Sequence, residues 1–282
     1  MRKLPGLAAA CLIICLLAGC GPSFTYNHLD RLIPWYVDGY IDLSRDQRAI
    51  LRGQLEPLLQ WHREEELVRY GEILDRIEDD LTQPVTAAVV QNWIDEVIAA
   101  AQRTEETMLT LALDFGTTMS EAQMAEFVAG LWERQREYEE EFLGRSDEQY
   151  REDGYAALAG LLERFAGRLR PEQEQRLEAA VAGLVRFDRV WLEDRAHWLR
   201  QLEPLLQRDP GWQQAVQVAY RARRDNRLPS YRDSLQHNLG VLNPAVAEVL
   251  NELSDEQRAR LARELGALRA RLLQLSGRPL AT

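Results

Sequence analysis

The chain has 282 residues, and 45 acidic side chains against 34 lysines and arginines give it a formal net charge of −11 at pH 7. An acidic surface repels phosphates, which argues against a nucleic-acid partner. Helix-forming residues dominate the composition and alternating β-branched runs are absent from the sequence, so we predict an all-α protein, an elongated multi-helix bundle.

Residues 1–19 have the organisation of a bacterial signal peptide. An apolar run over residues 4–17 follows two basic residues and is too short to span a bilayer. The next positions resemble a lipoprotein lipobox throughout: Leu17, Ala18, Gly19 and Cys20. This resemblance implies cleavage before Cys20 and attachment of lipid to its thiol and to its new amine. The alternative is an ordinary signal peptide or N-terminal anchor with a chance cysteine.

Lipidation of Cys20 would determine where the protein lies. Gly21, rather than an aspartate, follows Cys20, which in enterobacterial sorting favours export to the outer membrane. We therefore expect a periplasm-facing protein that binds the membrane through its N-terminal lipid. Cleavage would also remove Cys11 and Cys15, which excludes cysteine catalysis, thiolate metal sites and disulfides in the mature chain.

A short tether, residues 20–25, leads into an aromatic segment, residues 26–43. The candidate interface residues in this segment are Trp35, Tyr36 and Tyr40. Aromatic side chains combine a large apolar surface with a polar tip, which suits both protein interfaces and membrane surfaces.

Three interpretations of the aromatic segment remain open. It is a helical hairpin that straps the N-terminus onto the bundle, with turns at Pro34 and Gly39, or a belt that rests on lipid headgroups, or a patch that docks a partner. The short tether keeps the folded body close to the membrane in each case.

One pattern recurs at four places and has the form of a helix capping box. A cap residue is followed three positions later by glutamine, with apolar residues on either side. The copies span residues 43–51, 119–127, 169–177 and 253–261. The serine caps and their glutamines are Ser44 with Gln47, Ser120 with Gln123, and Ser254 with Gln257. In the remaining copy Pro171 stands at the first helical position, where proline is tolerated. Each copy predicts the beginning of a helix.

The spacing of these starts predicts two related three-helix halves, residues 44–145 and 146–282. The first and third copies of the pattern lie 126 residues apart, and the same distance separates Pro84 from Pro210, which mark further helix starts. The second half would carry an insertion at residues 225–244. This arrangement indicates an internal duplication.

Two prolines fall within the predicted helices. Pro57 lies in the first long helix, and Pro204 lies near the end of its counterpart in the second half. Proline removes a backbone donor and clashes with the preceding turn, so each is expected to kink its helix or to end it.

No constellation of residues in the sequence identifies a reaction. His62 and Glu66 lie one helical turn apart and would suit a metal, but a di-iron bundle needs two Glu-x-x-His helices. Nucleophile elbows and glycine-rich phosphate loops are absent from the sequence. We therefore predict a non-enzymatic protein with no catalytic residue, no metal site and no cofactor.

Charge is unevenly distributed along the chain. Residues 133–153 contain nine acids and four arginines, whereas residues 221–232 contain five arginines and one aspartate. Each stretch is a solvated face, or pairs within the molecule, or meets a charged partner.

The lipobox, the stretch "LDRLIPWYVDGYIDLS" and the capped helix after it resemble an uncharacterised lipoprotein family of gamma-proteobacteria. That resemblance brings no activity. Residues 43–47 and 253–257 are also similar to the Leu-Thr-x-x-Gln signature of Spy/CpxP-type periplasmic chaperones, with serine in place of threonine. We expect an outer-membrane lipoprotein that binds or scaffolds an unknown envelope protein; the alternative is an envelope chaperone for unfolded or lipidic clients.

Overall fold

The computed structural model describes residues 22–277, with side chains from Thr25 onward, and every regular element in that range is helical. The all-α prediction is therefore confirmed. The helices are α1 (Pro22–Asn27), α2 (Leu29–Val37), α3 (Arg45–Trp61), α4 (Leu67–Asp80), α5 (Ala87–Gly116), α6 (Glu121–Leu143), α7 (Asp147–Ala166), α8 (Pro171–Ala182), α9 (Asp188–Leu205), α10 (Trp212–Ala222), α11 (Pro229–Asn251) and α12 (Asp255–Ser276). A π-helical turn, His62–Glu66, joins α3 to α4. Over residues 22–277, no helix has the length and apolar character needed to cross a bilayer.

The four predicted capping sites begin helices, as expected. At Ser44, Ser120 and Ser254 the hydroxyl accepts the N–H of the glutamine three residues on, at 3.1–3.2 Å, and the glutamine side chain accepts the serine N–H at 2.9–3.0 Å. At α8 the Gln173 side chain accepts the Arg170 N–H at 2.9 Å, and proline is the first residue. These bonds satisfy amides that the first turn of a helix leaves without partners.

The second half contains more helices than the three predicted. A fifth capping box, Ser146 with Gln149, begins α7. The sequence pattern missed it because Arg145, rather than an apolar residue, precedes the cap. The starts of α9 and α11 have no side-chain cap and were also missed.

Two helix starts are displaced from the prolines that marked them. Helix α5 begins three residues after Pro84, where the Thr86 hydroxyl accepts the Val89 N–H at 3.3 Å. Helix α10 begins two residues after Pro210, following Gly211 in a left-handed conformation. In both cases the proline shapes the approach to the helix rather than its first turn.

Pro34 and Pro57 lie inside helices, and Pro204 lies near a helix end. Pro34 lies inside α2 instead of in a turn, and the turn falls at Gly39. Helix α3 continues past Pro57 to Trp61. Pro57 has no N–H to donate to the Gly53 carbonyl four residues earlier, but Gly53 is exposed, so water can bind that carbonyl instead. The predicted insertion, residues 225–244, is helical from Pro229 onward. Pro204 lies one residue before the end of α9, as predicted.

Glutamines of the capping boxes also pair between helices. The Gln47 and Gln123 amides each donate to the other's oxygen at 2.9 Å, and each also donates to a backbone carbonyl in front of the partner helix, Thr118 at 3.0 Å or Asp42 at 2.8 Å. This arrangement, called the glutamine clasp here, joins the beginning of α3 to that of α6.

A second glutamine clasp repeats the geometry at α8 and α12. Gln173 and Gln257 donate to each other at 3.3 and 3.0 Å, and to the carbonyls of Glu252 and Arg168. In both clasps the accepting carbonyl belongs to the residue five positions before the partner glutamine. The clasps therefore occupy corresponding positions in the two halves.

The two halves are interleaved in the core. Buried side chains of residues 22–277 form three clusters, and each of the two larger ones combines residues of both halves. Helix α4 packs along α12, α5 packs against α11, and α6 packs against α9. The main cluster of buried side chains combines α4 residues such as Leu67 and Ile73 with α12 residues such as Leu265, Leu268 and Leu272. Residues 44–145 thus bury their apolar face against residues 146–282. Their origin by duplication stays a prediction.

Candidate functional site

An exposed apolar face on α2 is the strongest candidate for a binding surface. Leu32, Trp35 and Tyr36 recur at helical spacing on one side, and their exposed fractions are 39%, 68% and 50%. Pro34, on the opposite side of α2, is buried. A helix of nine residues would bury its large apolar side chains if intramolecular packing were their role, so this face is available to another molecule.

Tyr40, the third candidate interface residue, belongs to the packing beneath that face. Its ring lies 6.3 Å from that of Phe127 and 5.9 Å below the Arg134 guanidinium, both on α6. A Cβ added to Gly130 would come within 3.3 Å of the Tyr40 ring, so glycine permits this close approach. The Tyr36 and Tyr40 hydroxyls are 2.9 Å apart. Tyr40 therefore positions Tyr36 instead of sharing its exposure.

The chain after α2 is fixed to the bundle by charge and by burial. Asp38 accepts two hydrogen bonds of 3.1 Å from the Arg48 guanidinium of α3. Ile41 and Leu43 are 2% and 4% exposed. The aromatic segment thus straps the N-terminal part of the described chain onto the bundle, as one of the three interpretations proposed, and it still leaves an exposed face.

A buried polar network holds α1 in place. The Tyr26 hydroxyl lies 2.8 Å from Nδ1 of His62, and the Tyr70 hydroxyl lies 3.3 Å from Nε2 of the same ring and 3.2 Å from Oγ1 of Thr104. Burial lowers the pKa of His62 to about 4, with a smaller opposing effect of Glu66. The ring is therefore neutral at pH 7, with one nitrogen donating and the other accepting.

Glu66, at the end of the π-helical turn, is fully buried and accepts hydrogen bonds from two arginines. Arg103 donates to both of its oxygens at 2.8–3.1 Å, and Arg69 donates at 2.5 Å. His62 and Glu66 thus face protein partners instead of an open metal position. Within residues 22–277, no group of three or more potential ligands is arranged to hold a metal ion.

An open groove of about 730 Å³ lies beside this network, between α3, α5 and α10. Pro57 and Trp61 form one wall, and Arg103 and Thr107 belong to the helix opposite. Gln54 in the same groove has a buried side-chain oxygen without a hydrogen-bond partner. The groove combines apolar walls with polar groups, as binding clefts commonly do.

The lipobox residues, Leu17, Ala18 and Gly19, and the lipidation site Cys20 lie outside the described residues. Trp35 and Tyr36, two of the predicted interface residues, are exposed in the structure. Tyr26 and Tyr70 are partners of His62 that the sequence does not predict. A tyrosine eight or 36 residues away from a histidine carries no signal in sequence, since folding alone brings the rings together.

Comparison with known proteins places the chain in one group. The model of a protein family of unknown function matches residues 39–232. Neither a curated protein nor a solved structure matches the chain significantly. The matched range begins after Trp35 and Tyr36 and ends before α12.

Proposed function

The chain belongs to DUF6279, a family of unknown function, and on that premise we propose that it is a non-enzymatic outer-membrane lipoprotein of bacteria whose periplasmic helical domain binds an envelope protein. The observation that carries the proposal is the exposed face formed by Leu32, Trp35 and Tyr36. Tryptophan and tyrosine dominate the energetics of protein interfaces. Tyr36, which Tyr40 holds in place, would lose little side-chain entropy when a partner binds.

The distance to the proposed lipid anchor supports a role close to the membrane. Trp35 follows Cys20 by 15 residues, most of them helical, so the chain between the proposed lipid and the exposed face is short, about 25 Å. An envelope protein that lies on or in the same membrane would reach this face without crossing the periplasm.

Photo-crosslinking in cells tests the proposal. A photoreactive residue at position 35 should yield a discrete protein adduct that is identified by mass spectrometry. The matched control places the same residue at Val218, another exposed apolar position, which lies on α10. Lipid adducts alone would favour the headgroup-belt interpretation, and the same protein adduct at both positions would contradict the proposed interface.

Replacement of Cys20 by serine tests the anchor. We expect Cys20→Ser protein to appear in the soluble periplasmic fraction or to remain as uncleaved precursor, because the thioether cannot form. Normal fractionation of the variant with the outer membrane would contradict the proposed lipidation. An unmodified N-terminus in the native protein, measured by mass spectrometry, would do the same.

The groove between α3, α5 and α10 favours a second candidate function, that of an envelope chaperone. Its apolar residues Trp61 and Leu111 would contact unfolded or lipidic clients. A fragment that starts after Cys20 should then suppress aggregation of a denatured client at up to an equal ratio, and Trp61→Ala should weaken the effect. No suppression would leave the interface on α2 as the sole proposed function.

A further inference from the structure

Four arginines gather where α6, α9 and the chain after α10 approach one another. The outer two are paired with acids: Arg134 with Glu137 at 2.5 Å, and Arg227 with Asp194 at 2.8 Å. The inner two, Arg195 and Arg223, are half-buried and form no ion pair within residues 22–277.

The inner arginines rest on aromatic rings instead of on carboxylates. The Arg195 guanidinium lies 5.2 Å from the centre of the Tyr138 ring and donates to the neutral side chain of Gln135. The Arg223 guanidinium lies 5.3 Å from the Trp198 ring, and its buried Nε has no hydrogen-bond partner. Stacking orients both guanidinium groups without neutralising them.

The carboxylates that favour the charged form of Arg223, those of Glu105 and Asp194, form hydrogen bonds to other groups. Glu105 accepts a hydrogen bond from the Tyr220 hydroxyl. Asp194 accepts one hydrogen bond from the Arg227 guanidinium at 2.8 Å and another from the backbone N–H of Leu228 at 2.9 Å. Neither acid can turn towards Arg223 without leaving a half-buried partner unpaired.

Arg195 and Arg223 lie close enough to repel each other. Arg195 and Trp198 are one turn apart on α9, and Arg223 stacks on Trp198. Burial lowers the pKa of both arginines, and charge repulsion from neighbouring arginines adds to the effect. Both remain protonated at neutral pH, as arginine does in proteins. The fold thus holds two half-buried positive charges that no ion pair within residues 22–277 neutralises, an arrangement that costs stability.

We propose that Arg195 and Arg223 form a binding site for a phosphate-type anion, either free or as part of a lipid headgroup. Two guanidinium groups present paired N–H donors that match the oxygens of a tetrahedral anion, and two positive charges balance a phosphate dianion. The site gives a role to the arginine-rich stretch 221–232, which the interface on α2 does not use.

Titration of the full-length protein in detergent with inorganic phosphate tests the site. Wild-type protein should show a saturable change in tryptophan fluorescence and a rise in melting temperature, both absent with sodium chloride at equal ionic strength. Arg195→Gln and Arg223→Gln should each weaken binding about tenfold or more, because a charged hydrogen bond is lost. The control Arg224→Gln removes an exposed charge at the adjacent position and should bind as wild type does.

Stability without anion separates a binding role from a structural one. A half-buried charge without an ion pair costs free energy, so Arg223→Met should melt above wild type in anion-free buffer and should not respond to phosphate. A purely structural arginine would give the opposite sign, with Arg223→Met melting below wild type at every phosphate concentration. That result, or wild-type phosphate binding by both glutamine variants, would overturn the proposal.

Soluble short-chain lipids distinguish the two sources of the anion. Dihexanoyl phosphatidic acid carries a phosphomonoester, and dihexanoyl phosphatidylcholine is its control without one. Tighter binding of phosphatidic acid than of inorganic phosphate assigns the site to a headgroup, and equal binding assigns it to the free anion. Absence of a saturable response to phosphate and to phosphatidic acid would contradict the site itself.

Discussion

At the scale of single residues, His62 makes stability depend on pH. Its pKa is about 4 in the fold and about 6.5 in the unfolded chain, so between these values the unfolded state binds more protons. The stabilisation is complete above pH 6.5 and is lost as the pH falls towards 4. By pH 5 the loss is about 2 kcal/mol.

We predict that His62→Gln flattens this dependence. The variant should be less stable than wild type at pH 7, because Tyr26 and Tyr70 lose a well-matched partner, and the difference should shrink towards pH 5. Urea unfolding at pH 7, 6 and 5 measures the free energy of unfolding of wild type and of His62→Gln. His237→Gln, which changes an exposed histidine, should retain the wild-type slope. Parallel slopes for wild type and His62→Gln would show that His62 is not the titrating group.

At the scale of elements, the glutamine of a capping box bonds to a second helix in some helices and only to its own helix in others. Gln47 closes the box of α3 and also bonds to Gln123 and to the Thr118 carbonyl across the interface with α6. Gln149 closes an equivalent box in α7 and makes no bond across helices within the described residues. The two positions differ in tertiary bonding and not in local geometry.

We therefore predict unequal costs for two alanine substitutions. Gln47→Ala should lower the free energy of unfolding by about 2 kcal/mol, because it removes the glutamine half of a capping box and part-buried hydrogen bonds to α6 and the chain before it. Gln149→Ala should cost about 0.5–1 kcal/mol, since the glutamine half of the box alone is lost. Chemical denaturation measures both, and a cycle with Gln123→Ala should show coupling to Gln47. Equal costs would mean that the glutamine clasp adds nothing to capping.

The aromatic face belongs to the same scale, because it is a property of α2 as a whole. A period of three to four residues brings Leu32, Trp35 and Tyr36 together, and the buried Pro34 opposite orients the helix. Its exposure implies that Trp35→Ala leaves stability within about 0.5 kcal/mol of wild type. A crosslinking defect in that variant would then report binding and not folding.

At the scale of the whole molecule, the folding unit extends beyond the family match, which ends at residue 232. Helix α12 supplies five buried leucines to the main core, facing α4: Leu261, Leu265, Leu268, Leu272 and Leu275. Burial of that many leucines contributes on the order of 10 kcal/mol, which is comparable to the total stability of a domain.

A chain truncated after Leu253 is therefore expected not to fold. Circular dichroism should show no cooperative unfolding transition, and proteolysis should degrade the fragment rapidly. A chain truncated after Gly277 retains all of α12 and serves as the control. A cooperative transition in the shorter chain would mean that α4 finds another partner for its apolar face.

The sequence by itself determined the helical class and four helix starts that carry capping signals, and a fifth start, at Ser146, carries the same signal without the preceding apolar residue. Capping depends on residues three positions apart, so its signal is local and can be recognised in the sequence. The tertiary structure alone decided which aromatic residues stay exposed and which glutamines meet. Tyr40 packs on α6 and Trp35 does not, and Gln47 meets a partner 76 residues away. Such outcomes follow from how helices distant in sequence pack, and no local pattern encodes them.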